Sequence, residues 1–379
     1  MSLYRTCLRP LLFRFDAETV HGATLRLAEV VGTSRPGRAL LRSLFQCQDD
    51  RLASEVAGIL FPNPIGLAAG FDKNGRAIHA LSEIGFGSVE IGSVSALPSA
   101  GNPGPRLFRL PADAAIVVNY GVPNDGAAVV ARRVNAAPTP VPLGVNLVET
   151  NTGHPADPDA VVGEFVEAAR PFCGRADYLT LNLNCPNTTA GISPFDDSGR
   201  LRELLSEYTR LEHLPPVFLK FTAHRDPARA DVLLEAVAAC PFIAGFIFNL
   251  PPGKAYALRT PTAVTEPMPG TLCGAPTRTM MDDTIRFWYG RIDRTRQIIV
   301  GSGGINGAAE AYHKIRLGAS LLQIYSALVF DGPGLVGRIH RGLLQLLDRD
   351  GLTHLSQAVG IDHGAPSTRV SRMASANGP

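Results

Sequence analysis

No Cys-x-x-Cys pair occurs among the six cysteines (Cys7, Cys47, Cys173, Cys185, Cys240, Cys273), and no Cys/His group has the spacing of zinc ligands. That excludes a structural zinc module and a disulfide framework, predicts no metal site, and fits a reducing compartment. No apolar run reaches the roughly 18 residues of a membrane-spanning helix. Charge imbalance is missing too: 36 basic against 34 acidic residues leave +2, which gives no basis for nucleic-acid binding. Neither a G-x-G-x-x-G nor a G-x-x-x-x-G-K-[ST] sequence stands in the right context, so a Rossmann or P-loop nucleotide site is not indicated. What the chain does have is 38 glycines and 30 prolines, spread between apolar runs as tight connections. With 45% hydrophobic and 18% charged residues over 379 positions, it can bury a sizeable core.

From residue 64 onward one pattern repeats: a short apolar run, a Gly/Asn/Pro break, then a helical stretch. The runs are PIGLAAG (64–70), SVEIGSV (88–94), PLGVNL (142–147), YLTLNLN (178–184), PVFLKFT (216–222), GFIFNL (245–250), QIIVGSG (297–303) and LLQIYSA (321–327). Between them lie stretches of 3.6-residue periodicity such as DAVVGEFVEAARPF and GAAEAYHKIRLG. Strands apolar on both faces and alternating with helices form a parallel sheet buried on both sides. Eight such units predict a closed (β/α)8 TIM barrel over 51–364, preceded by a small amphipathic helical segment over 1–50 and followed by a disordered tail over 365–379. The first residues, MSLYRTCLRPLLFRF, mix Arg5, Arg9 and Arg14 with Leu and Phe, as a helix lying on a membrane or packed on its own domain does.

Barrel chemistry sits at the C-terminal strand ends, and here those ends are polar. They carry Gly70 to Lys73, Asn146, Asn182 to Asn187 with Cys185, Lys220, Asn249, Gly301 to Gly304, and Tyr325-Ser326. Unpaired polar groups inside apolar strands cost several kcal/mol, roughly, so their convergence implies a bound polar ligand. GSGGING opens a helix at the usual phosphate position of barrel enzymes, which makes flavin mononucleotide (FMN) the natural candidate. Lys220 would then face the reduced flavin ring, unless it is paired with Glu90. Cys185, in LTLNLNCPNT, is either a small core filler or a thiolate base activated by nearby cations and backbone amides.

In order along the chain, NPIGLAAGFDKNG, GFGSVEIGSV, PRLFRL, NLNCPNT, VGSGGI and GASLLQIYSALVFDGP resemble the signature segments of dihydroorotate dehydrogenases. The resemblance spans nearly the whole chain and is greatest to the membrane-associated, quinone-using class. It implies an FMN barrel that oxidises dihydroorotate to orotate in pyrimidine biosynthesis, with a helical segment forming a quinone tunnel on the membrane surface. It also implies a peripheral location, on the cytoplasmic side of a bacterial cell membrane, since no amphipathic presequence precedes the first family-like helix.

Carried over residue by residue, the resemblance makes Cys185 the base and Lys73, Asn124, Asn182, Asn187 and Asn249 substrate ligands. The flavin positions fall on Ala69, Gly70, Lys73, Ser93, Asn146, Asn182, Lys220, Gly274, Gly303, Gly304, Tyr325 and Ser326. His21 and Arg109 match the quinone tunnel. This chain departs from the family at several points. The quinone class uses Ser as its base, and Cys marks the soluble class. The substrate loop reads Val118-Asn119-Tyr120-Gly121-Val122-Pro123-Asn124, so an Asn becomes Val118 unless Asn119 takes its place. Thr-Asn-Thr becomes Phe248-Asn249-Leu250, and Gly-Lys-Asn becomes Val148-Glu149-Thr150. These changes spare the flavin pocket and thin the hydrogen bonding around the substrate. The alternative they leave open is a divergent paralogue, an FMN barrel dehydrogenase acting on another small carboxylated or cyclic amide substrate.

Overall fold

The computed structural model describes residues 3–135, 139–154, 157–188 and 193–363. The expected tail lies outside these residues. A short wide helical turn (Tyr4–Leu8) leads into α1 (Arg9–Leu12), α2 (Ala17–Thr33) and α3 (Arg35–Phe45). Caps fix where these helices begin: Asp16 accepts from Thr19 N–H at 2.8 Å, and Ser34 accepts from Gly37 N–H at 3.0 Å. One face of the pair carries Leu25, Ala28, Leu41 and Phe45 onto the main core. The opposite face leaves Leu27, Val30, Leu40 and Leu44 exposed.

A hairpin, β1 (Ser54–Val56) and β2 (Ile59–Phe61), precedes the barrel. The chain then runs through β3 (Ile65–Leu67), α4 (Ile78–Leu81), β4 (Ser88–Val94), β5 (Leu107–Leu110), β6 (Ala115–Val118), α5 (Ala127–Asn135) and β7 (Leu143–Leu147). It continues as α6 (Val161–Ala169), β8 (Tyr178–Asn182), α7 (Ser198–Tyr208), β9 (Val217–Thr222), α8 (Pro227–Val237) and β10 (Ile243–Asn249). The last elements are α9 (Thr262–Thr265), β11 (Thr271–Gly274), α10 (Arg278–Tyr289), β12 (Ile298–Gly301), α11 (Ala308–Leu317), β13 (Ala319–Ile324), α12 (Ser326–Asp331) and α13 (Leu335–Asp350).

Strands β3, β4, β7, β8, β9, β10, β12 and β13 close into a barrel in that order, all parallel. They are the eight apolar runs of the sequence. Alternation decides what each residue faces. On β8, Leu179 and Leu181 pack outward against the helices, while Tyr178 joins the small interior cluster at the barrel floor. That floor is sealed by Val56 and Phe61 of the β1–β2 hairpin. Neither this hairpin nor the antiparallel sheet β5–β6–β11 follows from the sequence pattern, because their strands are short and interrupt the β/α alternation.

Above the floor lies a polar layer centred on Glu90, which is fully buried. Its carboxylate accepts from Asn146 Nδ2 (2.9 Å), Thr180 Oγ1 (3.0 Å) and Gln323 Nε2 (2.7 Å). It does not pair with Lys220, so the ion pair weighed from the sequence is not formed; Glu90 lies at the level of Gly144 and Tyr178, below Lys220, which pairs with Asn182. Glu90→Ala orphans three donors, each costing about 1–3 kcal/mol, so the variant is expected to lose about 3 kcal/mol or more of stability in denaturant titration.

Candidate active site

The strand ends surround a cavity at the mouth of the barrel. Of the base, substrate and flavin positions singled out in the sequence, Ala69, Gly70, Lys73, Ser93, Asn182, Cys185, Asn187, Lys220, Asn249, Gly274, Gly303, Gly304, Tyr325 and Ser326 all line it. Two do not. Asn146 sits beneath, accepting from Ser93 Oγ at 2.5 Å while donating to Glu90. Asn124, expected as a substrate ligand, is spent on its own loop: Oδ1 accepts from Ser95 and Gly126 N–H, and Nδ2 donates to Ser95 Oγ and Val122 O. Asn119 does not replace the lost Asn either. Its Oδ1 accepts from Asn102 at 3.0 Å, and it is Val118 that faces the cavity.

A chain of carboxamides crosses the floor of the cavity. Asn249 Nδ2 donates to Asn182 Oδ1 (2.7 Å) and to Asn184 O (2.5 Å), and Asn182 Nδ2 reaches Ser93 Oγ (3.3 Å). At the wall, Lys73 Nζ donates to Gly70 O (2.8 Å) and lies 3.7 Å from the Tyr120 ring centroid. Burial lowers its ammonium to about 8. Lys220 has no hydrogen-bond or ion-pair partner among the described residues, so its charge is directed at the cavity. Opposite, Gly303 and Gly304 turn with φ of +76° and +68°, and a Cβ on either would collide with Met281 or Arg278 at the start of α10. Only glycine fits both the dihedrals and the contact.

Cys185 is not the low-pKa thiol that the sequence suggested. Burial pushes it up to about 11; N–H groups of Asn187 and Thr188 and the Lys220 charge act against that rise without overcoming it. Four buried polar atoms on cavity-lining residues lack a partner among the described residues: Tyr120 Oη, Asn187 Oδ1, Thr271 Oγ1 and Gln323 Oε1. Buried polar atoms are ordinarily satisfied, so the cavity is built for a polar ligand.

A second cavity lies between the N-terminal helices and the barrel, lined mainly by apolar side chains. It meets the first at Tyr325, whose ring packs edge-on against Phe71 at 6.0 Å. Both residues expected at a quinone tunnel line it. Arg109 donates to Leu12 O (3.2 Å) and to Phe15 O, which pins the end of α1. His21 Nε2 lies 2.9 Å from Phe71 O. A carbonyl can only accept, so Nε2 carries the proton. Burial, then the Lys73 charge, lower His21 from 6.5 to about 4; burial does the same to His340 on α13. The unfolded chain therefore binds more protons between those values, so stability is complete above about 6.5 and declines as pH falls toward 4. The denaturant midpoint is expected to be lower at pH 5 than at pH 7.5, and His340→Gln is expected to flatten that difference.

The dihydroorotate dehydrogenase family model matches residues 51–347. The chain belongs to the dihydroorotate dehydrogenase family. It is 37% identical over 363 residues to the dihydroorotate dehydrogenase (quinone) of Natronomonas pharaonis, covering 96% of this chain and 100% of that protein. It is also 37% identical over 359 residues to that of Sphingopyxis alaskensis, covering 93% and 95%. Among solved structures, the Eimeria tenella dihydroorotate dehydrogenase in complex with ferulenol superposes with a TM-score of 0.77 at 26% identity, covering 92% of this chain and 96% of that one. Within the family frame, Thr180 and Gln323 are site-supporting residues that sequence reading missed, and Glu90 was read only as a possible partner of Lys220. Polar residues inside an apolar strand were their only signal.

Proposed function

We propose that this chain is an FMN-dependent dihydroorotate dehydrogenase that passes electrons to a quinone. The family uses a flavin; the choice of FMN rests on the glycine turn after β12 beside Tyr325-Ser326, which suits one phosphate at the mouth of the barrel. The observation that carries the reading is the pair of cavities, one with convergent polar groups and one mainly apolar, both bounded by Tyr325. The cradle, the partnerless Lys220 and the four unsatisfied polar atoms fit a flavin with a flat polar substrate beside it. The flavin, when bound, supplies the hydride acceptor.

The chain's own residues do the rest. Asn182, Asn187 and Asn249 hold and orient the substrate ring, with Lys73 beside them. Cys185 takes the proton from the substrate carbon, and Lys220 stabilises the negative charge that develops. Residues 1–50 form the quinone segment, with His21 and Arg109 lining its tunnel. Leu8, Leu11, Phe15, Leu27, Val30, Leu40 and Leu44, all exposed, would dip into the membrane, with Arg14 and Arg26 near the headgroups. No helix among the described residues is long and apolar enough to cross a membrane.

Purified protein is expected to release FMN on denaturation and to form orotate from dihydroorotate only when a ubiquinone analogue is supplied. Release of another flavin, or orotate formation without a quinone, would count against the reading. Leu27→Asp combined with Val30→Asp is expected to abolish sedimentation with anionic vesicles while leaving flavin reduction unchanged. Undiminished vesicle binding would remove the membrane assignment.

A further inference from the structure

We propose that Asn102 is a positioning residue that latches the turn carrying Cys185 against the substrate loop. The proposal rests on Cys185 being the base of the reaction above. The turn is closed by its own backbone: Thr188 N–H and Thr188 Oγ1 both donate to Cys185 O, at 3.3 and 3.1 Å. It is also pinned from outside on either side of the thiol. Before it, Asn249 Nδ2 donates to Asn184 O at 2.5 Å; after it, Asn102 Nδ2 donates to Asn187 O at 3.0 Å. Asn249 lines the cavity, whereas Asn102 is not among its lining residues. Asn102 therefore reaches the reaction only through the loop it holds.

Two backbone carbonyls decide the direction of every bond at Asn102. Asn187 O can only accept, so Asn102 turns its Nδ2 to it, and the second hydrogen of that amide goes to Asn119 Oδ1 at 3.0 Å. Asn102 Oδ1 is left to accept from Asn151 Nδ2 at 3.2 Å. Gly121 O, again an acceptor only, takes the other Asn151 hydrogen at 2.8 Å. The main chain adds a further bond, from Asn102 N–H to Tyr120 O at 2.9 Å. Behind the turn, Arg106 donates to Asn102 O at 3.0 Å and pairs with Glu18 on α2 at 2.8 Å. One carboxamide thus joins the loop after β4, the substrate loop after β6, and the loops after β7 and β8. Gly121 is shaped to this junction. Its φ is +63°, and a Cβ there would lie 2.2 Å from Asn102 Oδ1, so only glycine lets the substrate loop pass so close.

The latch matters because a general base works only at hydrogen-bonding distance from the proton it takes, and a misplacement of about 1 Å can cost about 10²-fold in rate. Cys185 is one residue past Asn184 and two before Asn187, so holding both carbonyls fixes its backbone between them. Releasing the Asn187 end leaves the thiol tethered on one side alone. The same bond sets the backbone of Asn187, whose Oδ1 is buried without a partner among the described residues.

The test uses the full-length flavoenzyme and its Asn102→Ala variant, with the two half-reactions followed separately. In anaerobic flavin reduction by dihydroorotate, the limiting rate is expected to fall about tenfold or more. Reoxidation of the reduced flavin by a ubiquinone analogue does not use Cys185 and is expected to keep its wild-type rate. Equal losses in both half-reactions would mark general damage and overturn the proposal, as would a change confined to the half-saturating dihydroorotate concentration. The second readout needs no substrate. Alkylation of Cys185 by iodoacetamide, resolved by peptide mass spectrometry, is expected to quicken about tenfold or more once the turn is released. Asn102→Asp keeps the side chain's size and deletes both donors, so it is expected to match the alanine variant, and it replaces that variant if the latter does not retain flavin. Wild-type reduction and wild-type alkylation in flavin-loaded Asn102→Asp overturn the proposal. Failure of the functional reading looks different: wild-type protein stays yellow with dihydroorotate, or Cys185→Ala bleaches at the full rate. Alkylation then decides the latch alone, faster in Asn102→Ala if it exists and unchanged if it does not.

Discussion

Cys185→Ala is expected to slow flavin reduction by dihydroorotate by about 10³-fold, within the 10²–10⁴ that a positioned base contributes, while the flavin stays bound. The side chain lines the cavity without forming part of the glycine cradle, so its removal spares the cofactor site. The pH dependence has a definite sign. The active form of the base is the thiolate, and burial pushes its formation up to about 11. The rate is therefore expected to climb with pH across the accessible range, about tenfold per unit well below that value. Cys185→Ser retains a group that can be deprotonated, and its profile is expected to rise at still higher pH. Stopped-flow reduction of the wild type and both variants across pH decides this. A flat profile, or an alanine variant as fast as the wild type, sinks the base assignment.

Lys220→Met is expected to cost about 10²–10³-fold in the same half-reaction, the range for removing one preorganised electrostatic group from a developing anion. It is also expected to make the bound flavin harder to reduce. The reasoning is local. Lys220 stands between Leu219 and Phe221 near the end of β9, and no acid among the described residues compensates it. Its charge already acts on Cys185 and Cys273, so it reaches across the cavity. Methionine keeps the length and apolar body while deleting the charge. The Cys185 thiol is expected to rise further in this variant. A potentiometric titration showing an unchanged flavin potential, together with an unchanged rate, would falsify the role.

The barrel was legible because its strands are largely buried on both faces and alternate with helices, a pattern that needs no tertiary information. The β5–β6–β11 sheet was not, since β6 and β11 meet through segments more than 150 residues apart in sequence. Glu90 shows the same limit from the polar side. Its position in SVEIGSV advertised a buried acid, but which donors reach it depends on register around the barrel. Lys220 was one candidate partner, and Asn146, Thr180 and Gln323 are the actual ones. Asn124 matched a family position while its loop drew the amide inward, a choice made by neighbouring backbone N–H groups that motif comparison does not see. For Cys185 the neighbours were readable but the desolvation was not, and desolvation is the larger effect.

The most direct measurement is the pair of half-reactions in single turnover. Oxygen-free protein is mixed first with one equivalent of dihydroorotate and then with a ubiquinone analogue, with the flavin absorption followed throughout. The expected result is complete bleaching with stoichiometric orotate, then full recovery of colour by the quinone without further substrate. Flavin-loaded protein that stays yellow with dihydroorotate, but is bleached by another cyclic amide or carboxylated substrate, would contradict the assignment.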